Sequence, residues 1–64
     1  MIRVNGAPEK FAGESVAQLL DRLHVDGRGI AVAMNGDVVP RSRWDYARVD
    51  DGATIEIVTA AAGG

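Results

Sequence analysis

The chain has 64 residues, with nine acids against seven lysines and arginines, one histidine and no cysteine. A domain of this length buries only about 60% of its unfolded surface, which excludes a deep, water-free active site; the missing thiols also exclude disulfides and thiolate zinc sites as supports for the core. The net charge of -2, with basic residues scattered along the chain, argues against nucleic acid as a partner, and no stretch approaches the roughly 20 apolar residues of a membrane-spanning helix.

The run Met1-Ile2-Arg3-Val4 reads as a strand without an apolar leader before it, so the expected compartment is the cytoplasm. Asn5-Gly6 follows, a pair that readily takes the positive φ angles of a tight turn, and it predicts a hairpin into Glu9-Lys10-Phe11. Pro8 has no N–H for a ladder, so it fits the first residue of a strand or an edge.

The period then changes. Val16, Leu19, Leu20 and Leu23 stand at i, i+3, i+4 and i+7, which places four apolar side chains on one face of a helix. Ser15 with Gln18 three residues later has the spacing of a capping box. His24 is expected in the last turn, with Asp26-Gly27 ending the helix and Gly27 to Gly29 forming a loop.

Ile30 to Met34 reads as a buried strand, and Asn35-Gly36 turns it into Asp37-Val38-Val39, closed by Pro40. Ser42 to Ala47, carrying Trp44 and Tyr46, is expected to be irregular or 3₁₀. Asp51-Gly52 then turns the chain into Thr54-Ile55-Glu56-Ile57-Val58, whose alternation puts Ile55 and Ile57 inward. One helix must cover one face of the sheet, and only the helix is long enough to serve as a parallel crossover. The first and last strands are therefore expected to pair in parallel at the centre of a mixed sheet. This is an α+β chain with the β-grasp (ubiquitin-like) arrangement, expected to divide into a domain over residues 1–60 and a flexible tail over residues 61–64.

The side chains offer little chemistry of their own. A lone His24 near a helix end is a poor start for a catalytic triad. Asp50-Asp51 before Gly52 is better explained as turn formation than as a metal or acid–base pair, and Gly27-Arg28-Gly29 lacks the strand–loop–helix context and Lys-Ser/Thr ending of a phosphate loop. No enzyme activity, bound cofactor or metal is expected. Trp44 has two readings, an anchor for a partner or a ring closing one end of the core, and the second carries more weight. Arg41 and Arg43 read as a solvated rim or as steering for an acidic partner, with the rim favoured.

The informative feature is the ending Thr59-Ala60-Ala61-Ala62-Gly63-Gly64. Small residues cannot anchor themselves against a core. The four residues after Ala60 can extend roughly 13 to 14 Å, far enough to place Gly64 inside a partner's cleft. Glycine at both final positions removes the β-carbons that block a narrow channel and permits any φ the cleft imposes. Such a tail suits chemistry at the Gly64 carboxylate, a poor electrophile that a partner must first activate, for example with ATP as an acyl-adenylate. Displacement of AMP by sulfur then gives a thiocarboxylate. The candidate partner-binding residues are Val58, Ala60, Ala61, Ala62 and Gly63, with Val58 on an outward patch of the sheet.

The stretch Val32-Ala33-Met34-Asn35-Gly36-Asp37-Val38-Val39-Pro40-Arg41-Ser42-Arg43-Trp44, followed by Asp51-Gly52-Ala53-Thr54-Ile55-Glu56-Ile57-Val58-Thr59-Ala60 and the closing Gly63-Gly64, resembles the ThiS family of sulfur carriers in thiamine biosynthesis. The likeness is continuous from about Ile30 to Gly64, and the N-terminal half agrees in element order. It implies that a ThiF-type adenylyltransferase activates Gly64 with ATP. A cysteine desulfurase or another donor supplies the sulfur indirectly, and thiazole synthase of the ThiG type receives it. The carrier itself is a co-substrate, expected to be monomeric when alone. The family often has Gln or Gly before the glycine pair, where this chain has Ala62. Two readings stay open beside this one, a carrier like the small subunit of molybdopterin synthase and a ubiquitin-like protein modifier that joins Gly64 to a lysine. A plain interaction domain that uses its sheet face or Trp44 is a third, in which the tail has no role.

Overall fold

The computed structural model describes residues 1–59. The elements run β1 (Ile2–Val4), β2 (Ala7–Glu9), β3 (Glu14–Ser15), α1 (Val16–Arg22), β4 (Ile30–Met34), β5 (Asp37–Val39), a 3₁₀ turn (Arg41–Arg43), β6 (Arg48–Val49) and β7 (Thr54–Thr59). Five strands form one mixed sheet in the order β2-β1-β7-β4-β5, and β3 pairs with β6 in a separate ribbon. The expected parallel pair lies at the centre, with Arg3 against Thr54 and Val4 against Ile55. β4 flanks β7 on its other side, antiparallel from Ile30 against Thr59 to Met34 against Ile55.

Both Asn-Gly pairs turn hairpins as expected, but the first returns at once through Ala7–Glu9 and not through Glu9-Lys10-Phe11, because a two-residue turn sets Val4 directly against Ala7. Asn5 and Asn35 take φ of 51 and 53°, and the glycines after them are also positive, at 85 and 88°. Asparagine tolerates this left-handed region and glycine has no β-carbon to strain in it. Pro8 sits on β2, an edge strand, where its missing N–H leaves no gap in the ladder.

A seven-residue helix is too short to persist by itself, so α1 depends on what it buries and on its ends. Val16, Leu19 and Leu20 are buried and Leu23 is partly so. Each buried leucine is worth roughly 1.5–3 kcal/mol, more than the sum of helix propensities over so few residues. The capping box is present: Ser15 Oγ accepts from Gln18 N–H at 3.1 Å, and Gln18 Oε1 accepts from Ser15 N–H at 2.9 Å. The other free donors of the first turn go to the segment after the 3₁₀ turn, Val16 N–H to Ala47 O and Ala17 N–H to Trp44 O, both at 2.9 Å. The segment that sequence alone leaves irregular thus completes the helix cap, and β3–β6 ties it in place.

The helix ends earlier than expected. His24 lies beyond the last turn, at φ 57°, as the left-handed residue of a Schellman-type ending in which His24 N–H donates to Asp21 O and Val25 N–H to Leu20 O. His24 therefore fills a conformational role usually given to glycine. Ile2, Val32, Ile55, Val16, Leu19 and Val49 form the most buried part of the core, which Leu20, Phe11, Val39, Trp44 and Ala53 complete.

Candidate functional site

β7 is the last described strand before the candidate site residues 60–64, and its supports differ along its length. At its start, Asn35 N–H donates to Thr54 O at 2.8 Å and Asn35 Oδ1 accepts from Thr54 N–H at 2.9 Å. On the opposite side, Arg3 N–H donates to Ala53 O and Asn5 N–H to Ile55 O. β1 then turns away, and the Asn5 side chain takes its place: Oδ1 accepts from Ile57 N–H at 2.8 Å and Nδ2 donates to Ile57 O at 3.1 Å. The two turn asparagines therefore grip the same strand from opposite edges, one at its beginning and one near its end.

Residues at partnered positions of a sheet share a face. Away from the helix, Val58 lies beside Ala31, and Ala33 lies between Glu56 and Val38. Val58 is 57% exposed and Val38 71%. With the partly buried alanines they line a shallow groove of about 200 Å³, at whose margin Glu56 is the one charge. Alanine at 31 and 33 keeps the floor low, so the valines stand proud of it. The groove is apolar, adjoins the end of β7, and offers no polar pair able to move a proton.

Val58 is thus on an outward patch, as expected from the alternation of the last strand. Gly64, Ala60, Ala61, Ala62 and Gly63, the other candidate site residues, lie outside the described residues, as does the boundary at residue 60. Ala31, Ala33 and Val38, which extend the patch, were not singled out in the sequence. The small size of alanine gives no signal there, and their adjacency to Val58 comes from the strand register.

The remaining candidates have structural roles. Trp44 is 7% exposed, and its Nε1–H donates to Val39 O at 2.9 Å, so the core reading is correct and the anchor reading is not. Arg41 is not merely a solvated rim: its guanidinium lies 4.6 Å from the centre of the Trp44 ring and donates to Gly27 O. Asp51 pairs with the Met1 ammonium, which donates to it and holds its carboxyl below the ordinary range. Arg28 does the same for Asp26 through side-chain and backbone hydrogen bonds. Among the described residues, no group of three or more His, Cys, Asp or Glu side chains could hold a metal ion, and no helix is long and apolar enough to cross a membrane.

Comparison with known proteins agrees with this geometry. The ThiS family model matches residues 2–64. The sulfur carrier protein ThiS of Escherichia coli is 40% identical over 53 residues, covering 83% of this chain and 80% of that protein. A thiazole synthase of Paramagnetospirillum magneticum is 40% identical over 62 residues, 95% of this chain; the chain spans only 19% of that relative. The crystal structure of the thiamine biosynthesis protein ThiS from Geobacter metallireducens superposes with a TM-score of 0.84 at 31% identity, covering 98% of this chain and 97% of the other.

Proposed function

The chain belongs to the ThiS family, and from that premise we propose that it carries sulfur for thiamine thiazole formation on the carboxylate of Gly64. A ThiF-type adenylyltransferase joins that carboxylate to the AMP of ATP and releases pyrophosphate. The terminal sulfur of a donor persulfide then displaces AMP, which leaves with the electron pair of the broken acyl–phosphate bond, to give an acyl disulfide. A thiol attacks the donor's sulfur in that disulfide, leaving as a disulfide with the donor and releasing the thiocarboxylate. Thiazole synthase takes the sulfur from it. The protein is a co-substrate in each step, and the chemistry belongs to its partners.

The observation that carries the reading is the reach of the family match, which continues past the last strand to residue 64 and so includes the Gly63-Gly64 ending. The groove of Ala31, Ala33, Val38 and Val58 supports it. An apolar patch beside the root of the tail lets a partner hold the domain while it draws the last residues into its cleft. A carrier must leave one enzyme for the next, and a patch of this size suits a small transient interface. The P. magneticum thiazole synthase, which contains a similar segment, supports thiazole synthase as the acceptor over a pterin-forming enzyme.

The test is the intact mass of the protein after incubation with ATP, a ThiF-type adenylyltransferase and a sulfur source. The expected result is a gain equal to one sulfur in place of one oxygen, absent when Gly64 is deleted. No gain with an adenylyltransferase active on its own carrier would overturn the reading.

A further inference from the structure

We propose that Asn5 is a positioning residue for activation at Gly64, and that its side-chain amide does this by fixing the C-terminal end of β7. The inference rests on the carrier reading above. β1 supports β7 by strand pairing only as far as Ile55, while β7 continues to Thr59. Without a substitute, its last turn of pleat would be held from the β4 side alone. A segment paired on one side has half of its backbone groups left without a partner in the sheet to fix its path.

The Asn5 amide is that substitute. A primary amide has the same donor and acceptor as a peptide unit, and here both meet Ile57, the N–H at 2.8 Å and the C=O at 3.1 Å. These are the two bonds that a longer β1 would make to Ile57, there from two successive peptide units and here from one side chain. The left-handed φ of 51° is what allows it: the main chain departs into Gly6 while the side chain continues along β7. Ile57 is thereby the last residue shown held by hydrogen bonds from the β1 edge, three positions before residue 60.

Position 35 supplies a control at the other end of the strand. Asn35 has the same turn chemistry and a φ of 53°, and its side chain also holds β7, through one hydrogen bond from Thr54 N–H at the far end of the strand where Asn5 makes two. A residue that merely stabilised the fold would serve equally well at either turn. Only Asn5 acts next to the tail.

The experiment compares Asn5→Gly with Asn35→Gly, since glycine accepts both φ angles and each variant loses only its amide. Steady-state activation is measured with ATP and a ThiF-type adenylyltransferase. Docking through the groove leaves KM near wild type in both variants. In Asn5→Gly, kcat falls by about tenfold or more, because small misplacements of a reacting group have effects of that order, while Asn35→Gly keeps the wild-type kcat. Asn5→Asp retains the acceptor for Ile57 N–H but sets an oxygen against Ile57 C=O, so it falls between wild type and Asn5→Gly. Equal kcat in the two glycine variants overturns the proposal. Amide hydrogen exchange separates the two ways of failing. Faster exchange at Ile57 in Asn5→Gly, with no sulfur gained by the wild-type protein, overturns the carrier reading and this role with it. Unchanged exchange at Ile57 overturns the role of Asn5 alone.

Discussion

Gly27 and Trp44 meet so closely that a β-carbon added at position 27 would lie 2.9 Å from Trp44 Cζ3. The ring cannot step aside, because Nε1–H is held by Val39 O below it and the Arg41 guanidinium lies over it. Glycine at position 27 is therefore required by space. Gly27→Ala should cost about 1–3 kcal/mol, the usual penalty for overpacking, read as a lower denaturant midpoint with an unchanged slope.

Replacing Trp44 by Phe keeps most of the apolar volume but leaves the buried Val39 carbonyl without its donor. The expected loss is about 1–3 kcal/mol. Because the ring is in the core, affinity for the adenylyltransferase should be the same for folded Trp44→Phe as for wild type. A selective loss of affinity with full stability would return Trp44 to the role of partner anchor.

Val58→Asp and Val38→Asp place a charge on the groove without touching the core. Substitutions at sites this exposed change stability by about 0.5 kcal/mol or less. If the groove is the docking face, affinity for the adenylyltransferase should drop by more than about fivefold, the equivalent of 1 kcal/mol. Titration calorimetry with the wild-type partner checks this directly.

Acid should weaken the fold through Asp26 and Asp51. Both carboxyls lie below their ordinary value of 3.8, Asp26 through its hydrogen bonds from Arg28 and Asp51 through those from the Met1 ammonium. A depressed folded-state pKa gives stability that is present above 3.8 and lost as pH falls through the folded value. Both pairs are fully exposed, so the effect is small and shrinks with salt. Asp26→Asn and Asp51→Asn should each flatten the acid limb of a plot of stability against pH, with Tm near neutrality slightly reduced.

The parts of the fold readable from sequence were those with a local signal. The 3.6-residue spacing of Val16, Leu19, Leu20 and Leu23 defined the helix, the two Asn-Gly pairs defined the hairpins, and the lack of another crossover required β1 beside β7. β3 and β6 escaped because two-residue strands have no period to detect. The helix end was misjudged because the left-handed position is filled by His24, which competes poorly in propensity with the glycines that follow. Within the site, Val58 was readable from alternation, while the residues expected to form the tail lie outside the described ones. Asn5 was readable only as a turn residue, since its other partner, Ile57, is 52 positions away in the chain.

The central place of β7 also has a consequence for biosynthesis. This strand leaves the ribosome after every other strand of the sheet, yet it joins β1 to β4 and contributes Ile55 to the core. A chain interrupted before β7 has no sheet centre to collapse upon, and non-local pairings of this kind form only when both ends are available. An unfinished copy thus has no folded groove to present to a partner. The order of synthesis makes the groove a feature of the completed sheet alone.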